Sequence, residues 1–166
     1  MNTNSSPTIM NLRGSLPGLK YIFTGATRTG SVTAQTDTIL ELYDMKTGNG
    51  PVKFNAGQVV RVKKARLIPS GAPGLQPELD GTAASLTILE GNGSPFVGHN
   101  SCKLDFAEWE EWEDKDFELT ITDDFSSLGI KSSSEVTCDD FNVQDSFVGE
   151  EMYPIVELVA EVYIGV

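Results

Sequence analysis

The chain has 166 residues, of which 39% are hydrophobic and 22% charged, so it is long enough for one well-packed domain and too short for two comfortable ones. Its net charge of −12 disfavours nonspecific binding of nucleic acid or anionic lipid over most of the surface. The charge is unevenly divided: residues 1–66 carry nine Lys and Arg against three Asp and Glu, and residues 67–166 carry three against twenty-one. Because charge affects association more than folding, this asymmetry bears on which partners the surface binds and not on the fold.

The first eight residues, MNTNSSPT, form a polar stretch that we predict to be a flexible arm, with residues 9–166 as a single domain. The arm lacks the basic start and apolar stretch of a secretory signal. No segment reaches the roughly 18 apolar residues of a membrane-spanning helix. We therefore expect a chain without a signal peptide that does not enter a membrane, and that is either made and used in a cytosol or carried out of a cell without Sec-type export. In that setting Cys102 and Cys138 are predicted to be reduced thiols.

Residues 32–43 alternate in polarity and predict a long, half-buried strand that places Leu40 and Leu42 on its apolar face. A second long strand is predicted at residues 58–68, QVVRVKKARLI, but its apolar side chains change parity across Lys63 and Lys64. A β-bulge there would return all of them to one face. The alternative is a strand that is buried on both sides in turn.

Further strands are predicted at residues 83–90, 95–99, 117–122, 136–143 and 154–164. The strand at 136–143 is predicted to be an edge strand, because Asp139 and Asp140 interrupt it. The last strand is apolar enough to lie inside a sheet. One short helix is predicted at residues 104–114, where aromatic residues recur every third position. The sequence thus predicts an all-β fold, an antiparallel two-sheet sandwich of jelly-roll type, with a partly open barrel as the alternative.

No catalytic motif accompanies this fold. His99 is the only histidine, and neither a G-x-S-x-G turn nor a phosphate-binding loop is present, so we expect no enzyme and no organic cofactor. The carboxylates that flank the strand at 117–122 could bind calcium, which needs several converging oxygens, or could form a solvated acidic rim. The calcium candidates are Asp114, Asp116, Asp123 and Asp124.

Two charged segments are candidates for an interface. The first is FAEWEEWED at residues 106–114, in which Trp109 and Trp112 either cap the core or form a binding hot spot for a partner that presents Lys or Arg. The second is a basic run in the strand at 58–68, formed by Arg61, Lys63, Lys64 and Arg66. In an oligomer the basic run could meet the acidic segment of a neighbouring copy, or it could pair with acids of its own fold. Without interleaved aromatic residues, the run does not predict a nucleic-acid site.

The polar arm MNTNSSP, the turn-rich series of strands and the closing strand PIVELVAEVYI resemble small β-sandwich proteins of tailed-bacteriophage virions, such as auxiliary or minor capsid and decoration proteins. This resemblance implies a non-enzymatic structural role in a virion assembled in the host cytoplasm. Its implied partners are further copies of the chain or other capsid proteins. The alternative is a carbohydrate- or calcium-binding module that uses Trp109, Trp112 and the carboxylates between residues 114 and 124.

Overall fold

The computed structural model describes residues 7–16, 21–22, 30–33, 37–69, 78–79, 84–92, 97–131, 134–139, 151–152 and 154–164. Their strands are β1 Thr8–Ser15, β2 Tyr21–Ile22, β3 Gly30–Thr33, β4 Thr38–Leu40, β5 Tyr43–Asp44, β6 Val59–Ile68, β7 Glu78–Leu79, β8 Ser85–Asn92, β9 Val97–Asp105, β10 Glu113–Thr120, β11 Ser127–Ile130, β12 Glu135–Asp139, β13 Glu151–Met152 and β14 Ile155–Tyr163. In this part of the chain no helix is long and apolar enough to cross a membrane.

The described strands form two main antiparallel sheets that share one hydrophobic core. The five-stranded sheet has the order β10-β6-β14-β1-β5. The seven-stranded sheet follows the path β3-β12-β8-β11-β4, with β7 also paired to β12 and β9 to β8, and β2 and β13 form a separate ribbon. Buried side chains from both main sheets belong to one cluster, including Leu12 and Val60 from the first sheet and Leu86 and Val136 from the second. The predicted all-β antiparallel sandwich is confirmed.

The predicted bulge in the second long strand is also confirmed. On β14, the adjacent residues Val159 and Ala160 pair with Lys64 and Val62 of β6, so Lys63 is the extra residue. As a result, the apolar residues on both sides of the bulge are buried on the same face. They are Val60, Val62, Ala65 and Leu67.

The closing strand lies inside a sheet, as its composition predicts. β14 pairs with β1 over the full length of β1, and with β6 on its other side. Because side chains alternate across a strand, Val156, Leu158, Ala160 and Val162 face the core, whereas Ile164 follows the end of β14 and is exposed. β1 begins at Thr8, while residues 1–6 of the predicted arm lie outside the described residues.

Two predicted elements take a different form in the structure. The long strand predicted at residues 32–43 is divided, and the chain passes from the seven-stranded sheet at β4 to the five-stranded sheet at β5. Leu40 and Leu42 are nevertheless buried as predicted. The strand at 136–143 is not an edge strand in its described portion, because β12 pairs with β3 on one side and with β7 and β8 on the other.

The helix predicted at residues 104–114 is wrong, and the described residues contain no helix. β9 continues to Asp105, residues 106–112 form turns, and β10 begins at Glu113. The backbone N–H of Phe106 donates to the carbonyl of Ala84 at 2.8 Å, and that of Glu110 donates to the carbonyl of Leu67 at 2.7 Å. In a helix these N–H groups would instead bond to carbonyls within the segment. The aromatic residues at every third position therefore do not form one face of a helix. Phe106 is instead buried in the core from a turn.

Candidate functional site

The bulge in β6 determines which side chains cover the outer face, which we define as the side of the five-stranded sheet that faces away from the core. Since Lys63 is extra, it and Lys64 are both half-exposed while Val62 and Ala65 remain buried. All four predicted basic residues are half-exposed on this sheet. They are Arg61, Lys63, Lys64 and Arg66.

One part of the outer face is an exposed charge cluster, formed by Arg61, Lys63, Asp116 and Glu161. The Arg61 guanidinium donates to both oxygens of Asp116, with Nε–Oδ1 at 2.7 Å and Nη2–Oδ2 at 3.0 Å. Lys63 Nζ lies 3.1 Å from Asp116 Oδ1 and 3.6 Å from Glu161 Oε1. The hydrogen bonds from Arg61 and Lys63 lower the pKa of Asp116 to about 2, and the same contacts raise the pKa values of both bases. These cations therefore already have acidic partners within the chain.

Asp116 reaches these bases because β10 is irregular at this point. The pairing of β10 with β6 skips from Asp114 to Phe117, which leaves Lys115 and Asp116 without direct partners on β6. Asp116 has a φ of 42°, in the left-handed region that Asp tolerates better than most residues. The paired irregularities of β6 and β10 thus create the exposed charge cluster.

A second group, the buried triad, consists of Arg13 of β1, Glu157 of β14 and Arg66 of β6. The Glu157 side chain is only 2% exposed, although it belongs to the outer face. Arg66 Nε and Nη2 each lie 2.6 Å from Glu157 Oε1, and Arg13 Nη1 lies 3.4 Å from Oε2. Each carboxylate oxygen therefore has its own guanidinium partner, as a buried carboxylate requires.

Trp112 lies over the basic residues of β6. Its ring centroid is 4.8 Å from Lys64 Nζ and 4.5 Å from Arg66 Cζ, within the range of cation–π contacts. Arg66 Nη1 also donates to the Glu110 carbonyl at 3.5 Å. The basic run thus contacts the segment at residues 106–114 of its own chain, and the contact between copies stays a prediction.

The two tryptophans separate in the structure. Trp109 is half-buried and packs against the hydrophobic core, which agrees with the capping interpretation. Trp112 instead lines a cavity on the outer face. The two tryptophans therefore do not form a single binding surface.

That cavity, which we call the groove, has a volume of about 320 Å³. Its lining residues are Asn11, Met45, Lys46, Arg66, Trp112, Glu157 and Leu158. Met45 also lines a larger neighbouring cavity of about 750 Å³, together with Arg13 and Tyr43. Sequence reasoning found Arg66 and Trp112, but it missed the residues that β1, β14 and the turn after β5 contribute, because no local pattern shows which strands become neighbours.

The calcium candidates do not form one site. Asp116 is engaged by Arg61 and Lys63, Asp114 pairs with Lys64 in the strand register, and Asp124 Oδ1 accepts from the Ala56 N–H at 3.0 Å. Among the described residues, no three His, Cys, Asp or Glu side chains are placed to hold a metal ion.

Other predicted groups lie away from the outer face. Cys102 is half-buried and forms no disulfide with a described side chain, and burial raises its pKa. The side chains of His99 and Cys138 lie outside what the structure describes. Glu90 is fully buried on β8, where Oε1 accepts from Thr122 Oγ1 at 2.8 Å, while Oε2 has no partner among the described residues.

Comparisons with known proteins give little further information. No family model matches the chain, and no curated protein matches it. A solved structure described as "CBM4 structure and function" is 12% identical, with 88% of each chain covered and a TM-score of 0.32. The CBM22-2 xylan-binding domain of Paenibacillus barcinonensis Xyn10C is 9% identical, with 92% of this chain and 91% of that one covered and a TM-score of 0.29. Likenesses of this size carry no information about what this chain binds.

Proposed function

We propose that the protein is a non-enzymatic structural protein of a multi-copy assembly, in the manner of auxiliary, minor capsid and decoration proteins of bacteriophage virions. Its contact surface is the outer face of the five-stranded sheet. The observation that carries this proposal is the bulge at Lys63, which collects four basic side chains on one surface with Trp112 lying over two of them. The partners are further copies of the chain or other capsid proteins, and the virion is assembled in the host cytoplasm.

The composition of the outer face supports a protein contact. Trp, Tyr, Met and Arg are the residue types enriched at protein interfaces, and Trp and Tyr are frequent hot spots. Here Trp112 lies beside Met45, which is 48% exposed, and Tyr43 is 41% exposed in the adjacent strand. Ile9 of β1 is also exposed. A partner that covers this face would remove apolar and aromatic surface from water.

The ion pairs within the chain reduce the role of charge in a contact between the outer face and another protein. A basic run that awaited an acidic partner would steer association by charge, but Arg61, Lys63 and Arg66 already contact carboxylates. Charges that are paired in advance are less costly to cover than isolated charges, since each retains a partner after water leaves. The outer face is therefore suited to being covered by another protein.

An exchange of charges tests this proposal. Arg61→Glu combined with Asp116→Arg reverses both charges of an exposed pair and keeps the opportunity to pair within the chain. The wild-type protein is expected to form oligomers by light scattering after size exclusion. The exchange variant is expected to stay folded but to unfold at a somewhat lower temperature, because it places like charges beside Lys63 and Glu161, and it is expected to lose oligomers. The control Lys131→Glu, which changes an exposed lysine after β11, should keep them.

Two results would contradict the proposal. A wild-type protein that is monomeric at every concentration would contradict self-assembly and leave other capsid proteins as the only proposed partners. Oligomers that persist unchanged in the exchange variant would show that the outer face is not the contact.

A carbohydrate-binding module is the second candidate, and the groove favours it. Glycan sites combine an aromatic surface for the C–H face of a sugar with a few fixed polar groups, and the groove provides Trp112 beside Arg66 and Glu157. The site differs from the predicted one, since Trp109 and the carboxylates between residues 114 and 124 do not line it. Retention on immobilised glycans that is lost in Trp112→Ala, but kept in a variant of equal stability elsewhere, would support this candidate.

A further inference from the structure

The groove has one rigid wall, and that wall is built from side chains whose polar groups are already engaged. Arg66 is held by Glu157 at 2.6 Å, by the Trp112 ring at 4.5 Å and by the Glu110 carbonyl at 3.5 Å. Glu157 is in turn held by Arg13. Because these contacts fix Arg66 and Trp112 before any ligand arrives, a ligand pays little ordering cost at this wall.

The opposite side of the groove carries polar groups that are available. The Asn11 carboxamide and the Lys46 ammonium both line it, and within the described residues neither has a side-chain hydrogen bond or ion pair. The Lys46 N–H donates to Asp44 Oδ1 at 2.9 Å, which fixes the backbone from which the ammonium extends. Met45, which precedes Lys46 in the chain, adds an exposed apolar side chain.

The charges around the groove favour an anion. The groove itself is lined by two cations, Lys46 and Arg66, and by one carboxylate, Glu157, on a chain whose net charge is −12. Arg13 and Arg66 share Glu157, which leaves Lys46 as the cation without a carboxylate at ion-pair distance among the described residues. A neutral sugar can accept a hydrogen bond from that ammonium, whereas a carboxylate would form a stronger, charge-assisted pair with it.

We propose that the groove binds one unit of an acidic polysaccharide, a hexuronate, and that Lys46 determines the preference for the acid. This inference rests on the carbohydrate-binding candidate and specifies its ligand class. The C–H face of the sugar ring packs on Trp112 and Met45, ring hydroxyls bond to Asn11, and the carboxylate pairs with Lys46. Salt screens the attraction between the carboxylate and Lys46, so binding weakens as ionic strength rises.

The test compares two polymers that differ only in charge. Affinity electrophoresis and titration calorimetry are performed on the full chain with polygalacturonate and with its carboxyl-reduced, neutral form. Wild type is expected to bind the acidic polymer about tenfold more tightly or better, which corresponds to one charge-assisted hydrogen bond. Lys46→Met should reduce the affinity for the acid to that for the neutral polymer, whereas the control Lys131→Met should change neither.

A second variant separates stacking from charge. Trp112→Ala should weaken binding of both polymers, and Trp112→Phe, which keeps an aromatic ring, should restore part of the loss. Thermal unfolding of each variant shows whether the domain is intact.

The outcomes distinguish the inference from the candidate function. Equal binding of acidic and neutral polymers would overturn the hexuronate preference and leave carbohydrate binding standing. A Lys46→Met variant that still prefers the acid would overturn the role of Lys46 in that preference. Binding of neither polymer by the folded wild-type protein would overturn the inference at this groove, and retention on other immobilised glycans would then decide the candidate function.

Discussion

Two groups of ion pairs lie on the same sheet face and differ in their surroundings. In the buried triad, Glu157 is 2% exposed and is enclosed by Arg13 and Arg66. In the exposed charge cluster, Asp116 is 50% exposed and is shared by Arg61 and Lys63. The chemistry is the same, yet water can solvate Asp116 when a partner is removed and cannot readily reach Glu157. Burial, and not the number of contacts, therefore decides what each group contributes to stability.

The largest effect is expected when the buried triad is broken from one side. Arg66→Met leaves Glu157 buried with only the longer contact to Arg13, so the free energy of unfolding should fall by about 3 kcal/mol. Urea unfolding measures this loss. Replacing both partners, Arg66→Met with Glu157→Met, should recover most of it, because no buried charge is then left unpaired. If Arg66→Met were as stable as wild type, Arg66 would not be needed to compensate the buried carboxylate of Glu157.

The two tryptophans extend the same comparison to aromatic side chains. Trp109 packs against the core, whereas Trp112 lies over Lys64 and Arg66 on the outer face. Trp109→Ala should lower the free energy of unfolding by about 2 kcal/mol, and Trp112→Ala by about 1 kcal/mol, since the latter loses mainly cation–π contacts. Thermal and urea unfolding of both variants give the order, and the reverse order would place Trp112 in the structural role.

A smaller effect is expected in the exposed charge cluster. Arg61→Ala and Asp116→Ala should unfold close to wild type, and the remaining difference should vanish at high salt, because exposed charges are screened. Urea unfolding at low and high salt is the measurement. A loss comparable to that of Arg66→Met would show that exposure does not separate the two groups.

The pH dependence of the exposed charge cluster has a defined sign. Asp116 has a pKa of about 2 in the folded chain, below the roughly 3.9 of an unfolded Asp. Its ionised form therefore stabilises the fold above about pH 4, and this stabilisation disappears as the pH falls through 2. The difference in stability between wild type and Asp116→Asn should shrink over that interval, and an NMR titration of the Asp116 carboxyl should give a midpoint near 2. A midpoint near 4 would contradict the pairing.

Local polarity patterns predict part of this molecule because strand parity is a local property. The change of parity at Lys63 and Lys64 is visible in the sequence and identified the bulge, and the apolar alternation of the last strand predicted its place inside a sheet. The prediction of a helix at residues 104–114 was wrong, because aromatic residues at every third position do not show whether backbone N–H groups bond within the segment or to other parts of the chain.

The groove and the buried triad lay beyond the reach of sequence reasoning. Arg13 and Glu157 are 144 positions apart and meet because β1 pairs with β14. The sequence marks Glu157 only as one polar position in an alternating strand, with nothing to show that two arginines cover it. Likewise, Lys46 is indistinguishable from any turn lysine until β5 is placed beside β1.

Oxidative footprinting of the assembled and the dilute protein tests most directly whether the outer face is the contact surface. Met45 and Trp112 line the groove on that face, whereas Phe125, which is 70% exposed in the turn after β10, serves as the internal reference. We expect Met45 and Trp112 to become protected from hydroxyl radicals on assembly while the labelling of Phe125 stays constant. Equal labelling of Met45 and Trp112 in the two states would contradict the outer face as the site of contact.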